Sequence, residues 1–280
     1  MSIQTELTRI TNAKAAIKTT IEGKGVTVPD GTLLDGMAAL IDAIEAGGGG
    51  ATEPYIEEVY DGNGELIDAT FHGYTTIRNY VFYNCKSLAL TSLPSGLTSI
   101  GAYAFHNCKS LALTSLPSGL TSIDTYAFDG CSKLALTSLP SGLTSIGSHV
   151  FNGCKSLALT SLPSGLTSIS TYAFNGCKSL TLTSLPSGLT SIGTYAFEGC
   201  SSLALTSLPS GLTSIGAYAF RNCSSLASLT FEGTPTSITR TAFNGCTNLT
   251  TINVPWSEGA VADAPWDATN ATINYNYTGA

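Results

Sequence analysis

Residues 85–107 read CKSLALTSLPSGLTSIGAYAFHN, and at Cys108 the same phrase begins again. The eight cysteines stand at 85, 108, 131, 154, 177, 200, 223 and 246, so every interval is 23 residues and no cysteine falls outside the series. A fixed period of this length is the signature of a solenoid, in which each coil buries its apolar face only against its neighbours. Within the unit the apolar positions are Cys85, Leu88, Leu90, Leu93, Leu97, Ile100, Ala104 and Phe105, enough to fill a coil's interior. Pro94 and Gly96 mark a corner after an expected LALTSL strand, residues 98–100 can form a second extended piece, and AFHNC is expected as a turn or 3₁₀ segment. Short parallel strands should stack from coil to coil.

Six near-identical units occupy residues 85–222. A seventh, from Cys223, changes LALTSLPSGLTSI to LASLTFEGTPTSI, and an eighth, from Cys246, passes into the tail. Upstream, Ile77, Val81 and Phe82 precede Ile100, Ala104 and Phe105 by one period and mark a divergent first coil within residues 51–84. Divergence at both ends fits coils that must meet water on one side. The tail should cover the last coil, with Ile273, Tyr275 and Tyr277 on one face of a strand.

Residues 3–21 place Ile3, Leu7, Ile10, Ile17 and Ile21 at helical steps with heptad character, and residues 33–46 put Met37, Leu40, Ile41 and Ile44 on one face of a second helix. Between them VTVPDG reads as a brief strand entering a turn. So short a helical segment buries little surface alone and is expected to oligomerise or dock. The four glycines at 47–50 read as a flexible tether. The expected organisation is therefore a helical module over 1–46, a Gly-rich linker over 47–54, a solenoid over 55–254 and a C-terminal cap over 255–280.

Charged residues make up only 11% of the chain, so its polar surface must be largely hydroxyl. Twelve acids and four bases in residues 1–68 give a net charge of −8, and seven acids and eight bases in residues 69–280 give +1. A nearly neutral array is not expected to hold nucleic acid or anionic lipid. Met1 is followed by polar residues with no apolar leader core, and no run approaches the ~20 apolar residues of a membrane span. Sec export and membrane insertion are not expected.

The evenly spaced cysteines should form a ladder of buried thiols, because stacked side chains point in one direction and not at each other. The three histidines, at 72, 106 and 149, lie in no metal-ligand spacing, and no nucleophile and base constellation can be named. Catalytic residues, a metal and a cofactor are all unexpected. Among the six central units LTSLPSGLTSI is invariant, while variation falls just after it and again between Phe and Cys. One aromatic place there forms a row of Tyr103, Tyr126, His149, Tyr172, Tyr195 and Tyr218. Stacked ~4.8 Å apart, these rings would make a ridge able to bind sugars or protein, or would simply cover the coil edge.

AYAFHNC, TYAFDGC and TYAFEGC, over roughly residues 62–254, resemble the AF-x-x-C turn of BspA-like leucine-rich repeats. That subclass usually places apolar residues three, six and eight after the cysteine, as NLTTINVP does after Cys246. The central units use three, five and eight, which leaves their strand register open. The segment LTRITNAKAAIKTTIEGKGVTVPDGTLLDGMAALIDAIEAGGGG resembles the N-terminal module of tail and tail-fibre-like proteins of phages and prophages of Gram-positive gut bacteria, and the C-terminal end resembles that of phage-type repeat proteins. Together the resemblances imply a non-enzymatic, tail-associated receptor-binding protein of the virion. Its partners would be a bacterial surface glycan or protein and, through residues 1–46, a tail or baseplate protein, with a homo-oligomer, a trimer by analogy with tail fibres. The repeats alone imply instead a bacterial cell-surface adhesin. A third reading is a water-ordering solenoid like ice-binding proteins.

Overall fold

A computed structural model describes residues 54–279. The helical module expected over 1–46, the VTVPDG strand and all but the last residue of the linker lie outside the described residues. β1 (Tyr55–Tyr60) and β2 (Leu66–His72) pair around a turn in which the Asp61 carboxylate accepts the N–H groups of Asn63 and Glu65 at 2.8 and 2.9 Å. β2 also begins the solenoid. Ala89 N–H donates to Ile67 C=O as Ala112 N–H donates to Leu90 C=O one coil later, so Ile67 holds the place of Leu90 in the first coil.

The strands that follow are two to four residues long. β3 (Thr76–Ile77), β4 (Ser99–Ile100) and β5 (Ser122–Ile123) form one parallel sheet. β6 (Ser168–Ile169), β7 (Ser191–Ile192), β9 (Ser214–Ile215) and β11 (Ser237–Ile238) form the next along the same face, with Ile146 bridging to Ile169. On another face β8 (Ser207–Leu208), β10 (Ser228–Phe231), β12 (Thr251–Asn253) and β13 (Thr272–Asn274) stack in parallel. Each register step is one 23-residue period, as Ser191↔Ser214 and Ile192↔Ile215 show, except the last, where Thr251↔Thr272 is a step of 21.

The expected LALTSL strand is absent from the first five central coils and reduced to β8 in the sixth; the recurring strand is instead the Ser-Ile pair. Apolar residues three and five after the cysteine, such as Leu111 and Leu113, both turn inward, and between coils this stretch keeps only the single bond from Ala112 N–H to Leu90 C=O. Where the spacing becomes three, six and eight, Leu226, Leu229 and Phe231 are buried, alternation is restored, and β10 forms. The eighth place also drifts inward along the array. Leu93, Leu116, Leu139 and Leu162 are half-buried, whereas Leu185 and Leu208 are buried.

The other interior rows are filled as expected, except that Cys85, at the start of the second coil, is only half-buried. Phe82, Phe105, Phe128, Phe151, Phe174, Phe197, Phe220 and Phe243 form a continuous buried stack with centroids 5.2–5.8 Å apart. Each such side chain contributes about 1.5–3 kcal/mol by leaving water. The Phe-containing segment is a turn, yet it carries much of the bonding between coils: Tyr80, Phe82 and Asn84 donate N–H to Ala102, Ala104 and His106 C=O at 2.8–3.0 Å. On the strand face, Thr98, Thr121, Thr190, Thr213 and Thr236 donate their hydroxyls to a threonine carbonyl of the preceding coil at 2.8–3.2 Å.

The tail covers the last coil by continuing the period. Trp266, one period after Phe243, is fully buried, its backbone carbonyl accepts Phe243 N–H, and its indole N–H donates to Ala262 C=O at 2.7 Å. Ile273 and Tyr275 pack on the core, but the strand ends at Asn274 and Tyr277 is exposed.

Candidate functional site

The aromatic row is held by the backbone of the turn. φ is +56° at Tyr103, Tyr172 and Tyr195, +59° at Tyr126 and His149, and +55° at Tyr218. The left-handed region costs an L-residue roughly 1–2 kcal/mol. Two repeated interactions offset it. The N–H of Tyr103, Tyr126, His149, Tyr172 and Tyr195 donates to a carbonyl of the next coil at 2.9–3.1 Å. The rings themselves also stack.

Centroid distances from Tyr103 onward are 4.6, 4.3, 4.5, 4.7 and 5.0 Å. The tyrosine pairs lie within 15° of parallel, whereas His149 is tilted by 53° and 56° from its neighbours. All six expected residues are thus brought into one half-buried row. Tyr80 extends it, 4.9 Å from Tyr103 and 6° from parallel, and stepping back one period from Tyr103 would have found it. At the far end the Arg221 guanidinium lies 5.3 Å over the Tyr218 ring. Because the rings face each other, the row offers its surroundings mainly edges and phenol hydroxyls. Burial, then neighbouring tyrosines, pushes the hydroxyls of Tyr103 and Tyr172 up in pKa.

Three residues further along the turn runs a second row, Tyr83, His106, Asp129, Asn152, Asn175, Glu198, Arg221, Asn244 and Asp267, whose pairing the sequence reading missed. His106 stacks on Tyr83 at 4.9 Å, and its Nδ1 lies 3.1 Å from Asp129 Oδ2, an ion-pair distance when the imidazole is protonated. Asn152 donates to Asp129 Oδ1 at 2.8 Å, Asn175 to Glu198 Oε2 at 2.7 Å, Arg221 to Glu198 Oε1 at 3.1 Å and Asn244 to Asp267 Oδ2 at 3.3 Å. Every carboxylate of the row is therefore flanked by a donor. Burial pushes the Asp129 carboxyl up against the pull of His106, and burial pushes the His149 imidazole down.

A shallow trough of about 510 Å³ runs beside this region along β6, β7, β9 and β11. Ser168, Ser191, Ser214 and Ser237 line it together with Thr171 and Thr194, and the ladder rings do not. Among the described residues no group of three or more His, Cys, Asp or Glu side chains could hold a metal ion, and no helix is long and apolar enough to cross a membrane. All eight thiols are free.

No curated protein matches the sequence. Among solved structures, a leucine-rich repeat protein from Bacteroides ovatus is 18% identical, with 79% of this chain and 75% of that chain covered and a TM-score of 0.42. A leucine rich cell surface protein from Faecalibacterium prausnitzii is 21% identical over 83% of this chain and 97% of that one, with a TM-score of 0.39. A T. pallidum leucine-rich repeat protein is 28% identical over 71% and 82%, with a TM-score of 0.37. The family model described as the BspA type leucine-rich repeat region matches in six copies over residues 60–181 and 168–259, the span in which the cysteine, the turn and the aromatic row recur, and the chain belongs to that family.

Proposed function

We propose that the solenoid is a non-enzymatic recognition module that binds a repetitive polymer at a bacterial surface. One observation carries the reading: a single half-buried aromatic row recurs coil after coil at 4.3–5.0 Å, presenting identical weak contacts in line. Such contacts add through effective concentration when the ligand itself repeats. The carrier we infer is a phage-type tail particle, engaged through residues 1–46 as an oligomer. It is supported by the likeness of the N-terminal segment to tail proteins. A cell-surface adhesin is the second reading, favoured by the BspA-type repeats. Neighbouring tail genes support the first, and neighbouring export genes the second. Water ordering is disfavoured by the threonine row, in which the hydroxyls of Thr98, Thr121, Thr190, Thr213 and Thr236 are committed to the solenoid's own carbonyls.

The test replaces Tyr126, Tyr172 and Tyr195 together by Ser. Attachment to host cells should fall by at least about tenfold as the aligned contacts are lost. The melting point, measured alongside, separates the roles: lost attachment with unchanged melting supports recognition, whereas a large drop in melting means that the rings serve only the coil edge.

A further inference from the structure

The near neutrality of residues 69–280 conceals a segregation of charge. Of their eight bases, five are the lysines 86, 109, 133, 155 and 178, one in each of five successive coils. They sit on the turn just past the cysteine. The backbone carbonyls of Lys86 and Lys155 accept the N–H of Ser110 and Ser179 in the next coil, at 3.1 and 3.2 Å. Those of Lys109 and Lys178 accept the hydroxyls of Ser132 and Ser201. Lys133 is displaced by one residue, because Ser132 takes the aligned place in its coil. All five side chains are exposed, and among the described residues no carboxylate lies within ion-pair distance of any of them.

The fold does not require these lysines. In the next coils the same place is held by Ser201, Ser224 and Thr247, with the turn unchanged. Five like charges repeated at the coil spacing of about 4.8 Å repel one another, so the row works against the stability of the folded chain. It is a line of ammonium groups about 19 Å long, four coil steps at that spacing, none paired with a carboxylate among the described residues.

We propose that this lysine row is a binding site for a linear polyanion of the bacterial surface, a glycan or alditol polymer with one phosphate or carboxylate on each repeating unit. Lysine acts as a point charge on a flexible stem and tolerates small mismatches of spacing. One single-file row, offset by one residue at Lys133, suits a single strand of charges, whereas a nucleic-acid duplex presents two strands and about one charge per 1.7 Å of axis. Single-stranded nucleic acid binds through open aromatic faces beside the basic groove, and the ladder's faces are covered by one another. The proposal keeps the recognition reading and adds a second, electrostatic surface to it.

The full-length chain is tested against long-chain inorganic polyphosphate, with single-stranded DNA and neutral dextran as comparisons. Log affinity for polyphosphate should fall with log salt at a slope of about −3.5, from about −0.7 for each of five contacts. Replacing all five lysines by Gln should weaken binding at low salt by tenfold or more and flatten the slope, while replacing all five by Arg should retain both. If the Gln chain melts lower than the Arg chain, the double variant Lys86→Gln/Lys155→Gln decides instead, with a slope reduced by about 1.4. No binding by the wild type, an unchanged slope in the Gln variants, or single-stranded DNA bound as tightly as polyphosphate would each overturn the proposal. The Tyr126/Tyr172/Tyr195→Ser chain should bind polyphosphate as the wild type does. The ladder reading, scored by cell attachment, and the lysine reading, scored by salt slope, can therefore fail separately.

Discussion

A single cysteine shows how a side chain serves this fold. Each thiol from Cys108 onward points to the interior and donates to a phenylalanine carbonyl of the coil before, Cys131 to Phe105 at 2.9 Å and Cys154 to Phe128 at 3.1 Å. Burial pushes these thiols up in pKa, Cys246 to about 11 and Cys154 well above its ordinary value. The thiolate is the reactive species, so the buried row should be inert. Cys85, at the start of the second coil, is half-buried, and its pKa is also raised by burial. A maleimide at neutral pH should modify the native chain only at Cys85 and all eight cysteines after denaturation, as read by mass spectrometry; native labelling of several coils would mean that the interior opens readily. Other single-residue features could be read in advance. The residue before each cysteine alternates only between Asn and Gly, the two that enter the left-handed region most easily, and φ there is +59° at Asn107, +71° at Gly153 and +57° at Asn222. The left-handed tyrosines had no such sign, because no propensity places an aromatic ring at positive φ.

The coil turn is the element on which the candidate site depends. Its existence and period were legible from the AF and cysteine spacing, and its residues close the turn as the resemblance implied. The expected strand was misplaced because Leu88 and Leu90 suggested a pleated run, whereas the next inward residue, Leu93, follows Leu90 by three positions and breaks the alternation a strand needs. The ladder within this turn has one irregular step, His149, tilted between Tyr126 and Tyr172. Burial lowers its pKa in the folded chain. The unfolded imidazole takes a proton near the ordinary value of about 6.5 while the folded one resists. Stability is therefore lost as pH falls through that ordinary value, and the loss levels off below the folded pKa. His149→Tyr should remove this loss and stack as its neighbours do. Melting curves at several pH values should show the wild type declining toward acid more steeply than the variant. The difference between the curves reads His149 together with its pull on the Asp129 carboxyl, and parallel curves would contradict the assignment.

Across the whole molecule the coils are nearly interchangeable in their interiors and distinguished by the row that holds Asp129, Asn152, Asn175 and Glu198. That contrast predicts which shortened chains tolerate the loss of two coils. Deleting residues 132–177 joins Cys131 to Lys178 and sets Asp129 beside Glu198 with no donor between them. Deleting residues 155–200 joins Cys154 to Ser201 and sets Asn152 beside Arg221. Both remove the same number of interior side chains, yet the first should be less stable by about 1–3 kcal/mol, the repulsion of two partly buried charges at close range. The gap should close as pH falls through the carboxylate range; equal stabilities at neutral pH would show that the polar row does not discriminate between coils. The period was plain from the cysteines alone, but this pairing was not, since it depends on which residues meet across a coil step. The C-terminal cap carries one more consequence. Both tryptophans of the chain, Trp256 and Trp266, lie buried there, while tyrosines line the coils before it. Tryptophan emission therefore reports on one end of the stack and tyrosine absorbance on its length, so the chain has an internal optical record of whether it unzips from the cap or melts as one body.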